Sequence, residues 1–120
     1  MTNEDLIKLA EDWMAAFNSK NLEALLALYH EDAKHYSPKL KVRHPETKGL
    51  IHHKKNLRIW WQDAFERLPS LQYELIRLTP FEDRIFMEYV RRVDHEEELY
   101  VGEMLEVKQS LIHFSSVFHR

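Results

Sequence analysis

The chain of 120 residues reads as an α+β domain, with three N-terminal helices covering one face of a curved, mostly antiparallel sheet. Three observations carry this reading. Apolar residues in the first half recur at helical spacing. Residues 71–119 instead fall into short runs rich in Val, Ile, Tyr, Phe and Leu, separated by turn-like or charged stretches. No repeat, linker or low-complexity segment interrupts residues 1–120, so one domain is expected, long enough to bury roughly two thirds of its unfolded surface.

Residues 3–17 put Leu6, Leu9, Ala10, Trp13, Met14 and Phe17 on one stripe. Thr2 or Asn3 can cap this helix, and acids occupy its first turn, where the helix dipole favours them. The polar stretch NSKN ends it. Asn21 then caps a shorter helix over 22–29, with Leu22, Leu25, Leu26 and Tyr29 inward. DAKHYSP, residues 32–38, looks like a short strand stopped by Pro38, because the residue before a proline is pushed toward extended geometry. Residues 40–53 read as a loop with a brief strand near Gly49. The third helix spans His53 to Leu68 on a stripe of Leu57, Trp60, Trp61, Ala64, Phe65 and Leu68, with Pro69 just past its end. Strands are expected at 71–79, 84–93, 99–107 and 111–119.

Composition removes several classes of function. Cysteine is absent, so neither disulfides nor thiolate chemistry arise. The start, MTNEDLIKLAEDW, is acidic before any long apolar run, which argues against a secretory leader, and no apolar stretch is long enough to cross a bilayer. A cytoplasmic protein without membrane contact is the expectation. With only Gly49 and Gly102 available, no glycine-rich phosphate cradle can form. The net charge of -3 argues against general nucleic-acid binding, although its distribution is uneven. Lys34 to Arg58 is basic, and Asp94 to Glu106 is acidic without Lys or Arg. This asymmetry could steer an anionic ligand, form a solvated surface, or bring two copies together.

Several local patterns carry a family resemblance. WMAAFNSKNLEALLALYHEDAKHYSP has an aromatic-rich helix leading to L-Y-x-x-D-A and S-P. GLIHHKKNLRIWW, LPSLQYELIRL, GEMLEV and LIHFSSVFH follow in order. Together they resemble the SnoaL-like family of the nuclear-transport-factor-2-like superfamily across essentially the whole chain. The resemblance implies a cone-shaped α+β barrel, a pocket between the helices and the concave sheet face, and a homodimer through the convex face. It also exposes departures. The oxyanion tyrosine and the base aspartate of ketosteroid isomerases of this fold align with Trp13 and Ser37, and a serine cannot serve as a carboxylate base. The acid/base aspartate of SnoaL-type cyclases aligns near His119. A glycine common in the family is replaced by His53.

Adjacent His52 and His53 are expected to project apart, and His30/His35 and His113/His119 fit no standard ligand spacing, so no metal site and no cofactor is assigned. Glu103 shares a strand face with Val101, Leu105 and Val107. There it is either a buried acid/base group or the partner of Arg77 or Arg91. His113, Ser115 and His119 share the opposite alternation to Ile112, Phe114 and Phe118, making His113 and His119 further candidate acid/base groups if that face meets the cavity. Trp13, Phe17, Tyr29, Tyr36, Trp60 and Tyr89 are the expected aromatic lining of a pocket for a small hydrophobic ligand. The leading expectation is a metal-free binding protein or proton-transfer enzyme for a small hydrophobic carbonyl compound, of isomerase, cyclase or hydratase type. The rivals are a non-catalytic domain that docks a protein partner through its sheet and, more weakly, a nucleic-acid binder using Lys34 to Arg58.

Overall fold

A computed structural model describes residues 1–120. Helix α1 runs from Asn3 to Asn18 and α2 from Leu22 to Leu26. Thr2 caps α1: its Oγ1 accepts from Asp5 N–H at 3.0 Å, while its own N–H donates to Asp5 Oδ2 at 3.0 Å. Asn21 caps α2 as expected, accepting from Ala24 N–H at 3.1 Å. The second helix is shorter than its apolar pattern implies. Tyr29 belongs instead to strand β1, Tyr29–Tyr36, where it pairs with Ile112.

The segment read as a loop is more ordered. Pro38, whose fixed φ suits the first helical position, starts a short helix α3, Pro38–Arg43. A single 3-10 turn, Pro45–Thr47, leads to strand β2, Leu50–His52. The helical layer therefore holds four helices rather than three, with α4 at Lys54–Arg67. Strands β3 (Gln72–Phe81), β4 (Arg84–Arg92), β5 (Leu99–Lys108) and β6 (Leu111–His119) follow as an antiparallel meander.

All six strands form one sheet in the order β2-β1-β6-β5-β4-β3, antiparallel except where β1 meets β6. Bulges in the β1–β6, β3–β4 and β5–β6 pairings interrupt the register and help the sheet to curl. The sheet remains open between the edge strands β2 and β3. Its concave face carries Ile85, Met87 and Tyr89 on β4, Val101, Glu103 and Leu105 on β5, and Ile112 and Val117 on β6, all of them buried. The end of α1 is tied to β3 by a two-way clamp. Asn18 Nδ2 donates to the Tyr73 carbonyl at 2.8 Å, and Tyr73 N–H donates to Asn18 Oδ1 at 2.8 Å. No helix is long and apolar enough to cross a membrane.

Candidate functional site

A cavity of about 410 Å³ lies between the helices and the concave face, inside the usual range for small-molecule sites. Its aromatic wall is continuous. Phe17 stacks on Tyr73 with ring centroids 4.1 Å apart, Tyr73 stacks on Tyr89 at 4.1 Å, and Trp13 stacks on Phe17 at 5.2 Å. Trp60 and Trp61 of α4 line the opposite side. Nearly parallel rings of this kind suit a flat ligand.

Strand alternation brings Glu103 into this wall, where the residue is 1 % exposed. Neither expected arginine reaches it. Arg77 pairs with Glu88 at 3.5 Å, and Arg91 pairs with Glu96 at 2.9 Å. Glu103 Oε1 accepts a hydrogen bond from the Tyr89 hydroxyl at 2.7 Å, whereas Oε2 is buried without a partner. Burial without a neighbouring cation pushes the carboxyl up to about 7, with the Tyr89 hydrogen bond acting in the opposite direction. Both protonation states are therefore accessible at neutral pH.

A second polar group enters the cavity from β1 by a chain of buried hydrogen bonds. The Trp13 indole N–H, which can only donate, points to Tyr29 Oη at 3.0 Å. The Tyr29 hydroxyl must then donate onward, to Ser115 Oγ at 3.0 Å. Ser115 in turn gives its proton to His35 Nδ1 at 2.6 Å. This direction gives every hydroxyl proton of the chain an acceptor, since Ser115 has no other side-chain partner, and it places the proton of His35 on Nε2. Burial lowers His35 to about 4, keeping the ring neutral, and His35 lines the cavity. Trp13 is thus committed to Tyr29 and is not a free oxyanion donor, while Ser37 lines the cavity as a hydroxyl.

Of the residues expected at the site, Trp13, Phe17, Trp60, Tyr89, Glu103 and His119 line the cavity. Three others lie outside its lining. Tyr29 is buried behind the wall, tied between Trp13 and Ser115. Tyr36 turns its ring onto Gly49, close enough that a Cβ there would lie 2.7 Å from Tyr36 Cε2. His113 is the extra residue of the β5–β6 bulge, where Glu106 pairs with Phe114 and Val107 with Ile112. The bulge breaks the simple alternation, so Ile112 and Ser115 are both buried, and the half-buried His113 ring sits 6.3 Å from His30, away from the cavity.

Tyr73, His35 and Arg91 are lining residues that sequence reasoning missed. Period two from buried Ala33 would have placed His35 and Ser37 inward. Nothing comparable marks Tyr73, which opens an otherwise exposed edge strand.

The histidine pair also behaves differently from expectation. His53 has φ 76°, which turns the chain so that the His52 and His53 rings stack at 3.8 Å. A donor atom from each, with one from Asp32, falls within 4.8 Å of the others, so the two histidines can face one point after all. All three are exposed, and Lys54, Lys55 and the positive end of α4 work against a cation there.

A helical layer over the concave face of a curled six-stranded sheet, with a cavity between them, is the nuclear-transport-factor-2-like architecture. A family model for the SnoaL-like domain matches residues 10–117, and the chain belongs to that family. No curated protein matches it in sequence. Among solved structures, a SnoaL-like protein of unknown function from Burkholderia thailandensis E264 is similar over 100% of this chain and 98% of its own, with TM-score 0.87 and 18% identity. A proposed ketosteroid isomerase from Kribbella flavida DSM 17836 aligns with TM-score 0.81 and 20% identity over 98% of this chain and 79% of its own. A proposed polyketide cyclase from Sinorhizobium meliloti aligns with TM-score 0.80 and 13% identity over 98% of this chain and 100% of its own. At these identities the likeness concerns the fold.

Proposed function

We propose that the cavity binds a small, flat, apolar carbonyl compound and that Glu103 moves a proton on it. The observation that carries this is a buried carboxyl in the cavity wall with one oxygen unpaired and its titration near neutrality. Such a group serves as base and acid in turn. Ionised Glu103 Oε2 takes a proton from the carbon beside the carbonyl. The C–H electron pair becomes the enolate double bond, and negative charge moves to the carbonyl oxygen. The neutral His35 N–H is a donor for that oxygen, as a fixed dipole in a dry site. Return of the proton from Glu103 at another carbon completes an isomerisation. Alternatively, attack of the enolate carbon on a second carbonyl of the same molecule breaks that C=O π bond, and Glu103 returns its proton to the resulting alkoxide, which completes a cyclisation. The same fold carries a proposed ketosteroid isomerase and a proposed polyketide cyclase.

The test is deuterium exchange into the α-positions of 2-tetralone, followed by proton NMR in heavy water. The wild-type protein should accelerate exchange above the buffer rate, and Glu103→Gln should return it to that rate. Exchange at the buffer rate with both proteins would favour the non-catalytic rival.

We also propose that the protein is a homodimer through its convex face. Ile76, Tyr100 and Phe118 are exposed there, around a depression that also holds Arg77, Glu88 and Arg120. Charges of both signs around apolar side chains let one patch complement its own copy across a twofold axis. Light scattering should give twice the chain mass, and Phe118→Glu should give the monomer. A monomeric wild type at high micromolar concentration would refute the dimer.

A further inference from the structure

The cavity changes character toward its mouth. Along the β4–β5 ladder, Met87 pairs with Glu103, Tyr89 with Val101, and Arg91 with Leu99. Arg91 therefore lies two inward-facing steps from the Glu103 level, roughly 13 Å along the strand. Arg91 is only 7 % exposed, and Lys39 of α3 and His119 of β6 line the same end. The one carboxylate in this group is Glu96, from the β4–β5 connection, whose Oε1 accepts from Arg91 Nη1 at 2.9 Å.

Charge at this end does not balance. Two cations, Lys39 and Arg91, share one carboxylate, the other lining cations Arg43 and Arg67 being paired with Asp63, while the protein as a whole carries -3. Burial holds Lys39 below its ordinary value, with Arg91 lowering it further and Glu96 opposing. His119 is lowered as well, first by burial and then by Lys39 and Arg91, which favours its neutral ring. The Arg91 guanidinium has five N–H donors and one protein acceptor, Glu96, and it lines the cavity, which leaves donors open to a ligand there. A nearly buried guanidinium beside a second, half-buried cation favours a bound anion.

We propose that the ligand of this cavity carries a single carboxylate, held at the mouth by Arg91 and Lys39, with its apolar body extending along the aromatic wall toward Glu103. The local excess of one positive charge matches one carboxylate, and the planar fork of Arg91 suits its two oxygens. This gives the flat apolar body of the ligand one charged end, and it rests on the small-molecule reading of the cavity.

Calorimetry with 3-phenylpropanoate and its neutral isostere 3-phenylpropanamide tests it at pH 7.5. Wild-type protein should bind the acid at least about tenfold more tightly than the amide. Arg91→Met should bring the two affinities together, and Lys39→Met should reduce the preference in part. Since Arg91→Met also removes the Glu96 pair, Lys39→Met, on a partly exposed helix position, provides the second measure. Equal affinities in the wild type, binding of neither probe at millimolar concentration, or a preference that survives both substitutions would overturn the proposal. Its failure is distinct from that of the Glu103 chemistry. A cavity that selects the acid but leaves tetralone exchange at the buffer rate defeats the chemistry alone, and one that exchanges tetralone but ignores charge defeats the carboxylate alone.

Discussion

Replacing Glu103 with Gln should change how folding stability responds to pH, in a direction set by burial. The carboxyl rises from 4.5 to about 7 on folding. The unfolded chain therefore releases this proton from about pH 4.5, whereas the folded chain holds it until about pH 7. Across that window the folded state binds more protons than the unfolded state, so stability falls as pH rises. The full effect is about 3 kcal/mol. Gln does not titrate, and its carbonyl can still accept from Tyr89. The stability of Glu103→Gln relative to wild type should thus climb by about 3 kcal/mol between pH 4.5 and 8, which corresponds to roughly 10 °C in melting temperature for a domain of this size. Urea denaturation followed by circular dichroism at half-unit pH steps would measure it.

The difference curve is essential because His35 has the opposite slope. Its folded value is lowered to about 4 from 6.5, so stability is fully present above pH 6.5 and is lost as pH falls toward 4. From about pH 4.5 to 6.5 the two effects cancel in the wild type. A difference curve that is flat, or that falls with pH, would refute the burial argument for Glu103.

Ser115→Ala should break the chain that selects the His35 tautomer, leaving Tyr29 without an acceptor and His35 Nδ1 without a donor. A cost of about 2–3 kcal/mol is expected, and nitrogen NMR of His35 should change from a pure Nε2–H form to a mixture. Asn18→Ala should remove both arms of the α1–β3 clamp, lowering stability by about 1–3 kcal/mol and loosening Tyr73 against Phe17. Chemical denaturation would read the first effect, and tyrosine fluorescence the second.

The fold was largely legible because its elements follow strong periodicities. The stripe from Leu6 to Phe17 and the run from Leu57 to Leu68 could only be helices, and Glu103 could be placed inward by counting from Val101 and Leu105. Misplaced details share a cause: long-range pairing overrode local pattern. Tyr29 leaves a helical stripe because β1 pairs with β6. His113 fails to reach the cavity because a one-residue bulge, invisible in the alternation itself, shifts the face it presents. His53 adopts a left-handed backbone, and this unites two rings that either regular helix or strand would separate. The basic mouth escaped notice because Lys39, Arg91 and His119 come from three separated elements.

The parallel seam between β1 and β6 also dictates when the site comes into being. The meander from β3 to β6 closes through short connections, but His35 and Ser115 are 80 residues apart in sequence. Closing a loop of that size costs more entropy than any hairpin, and such contacts form late in folding. Until the seam closes, His35 has no hydroxyl to fix its proton and Glu103 faces a cavity lacking one wall. The tautomer of one imidazole is therefore a clock for folding, since its Nε2–H signal should appear together with the final docking of β1.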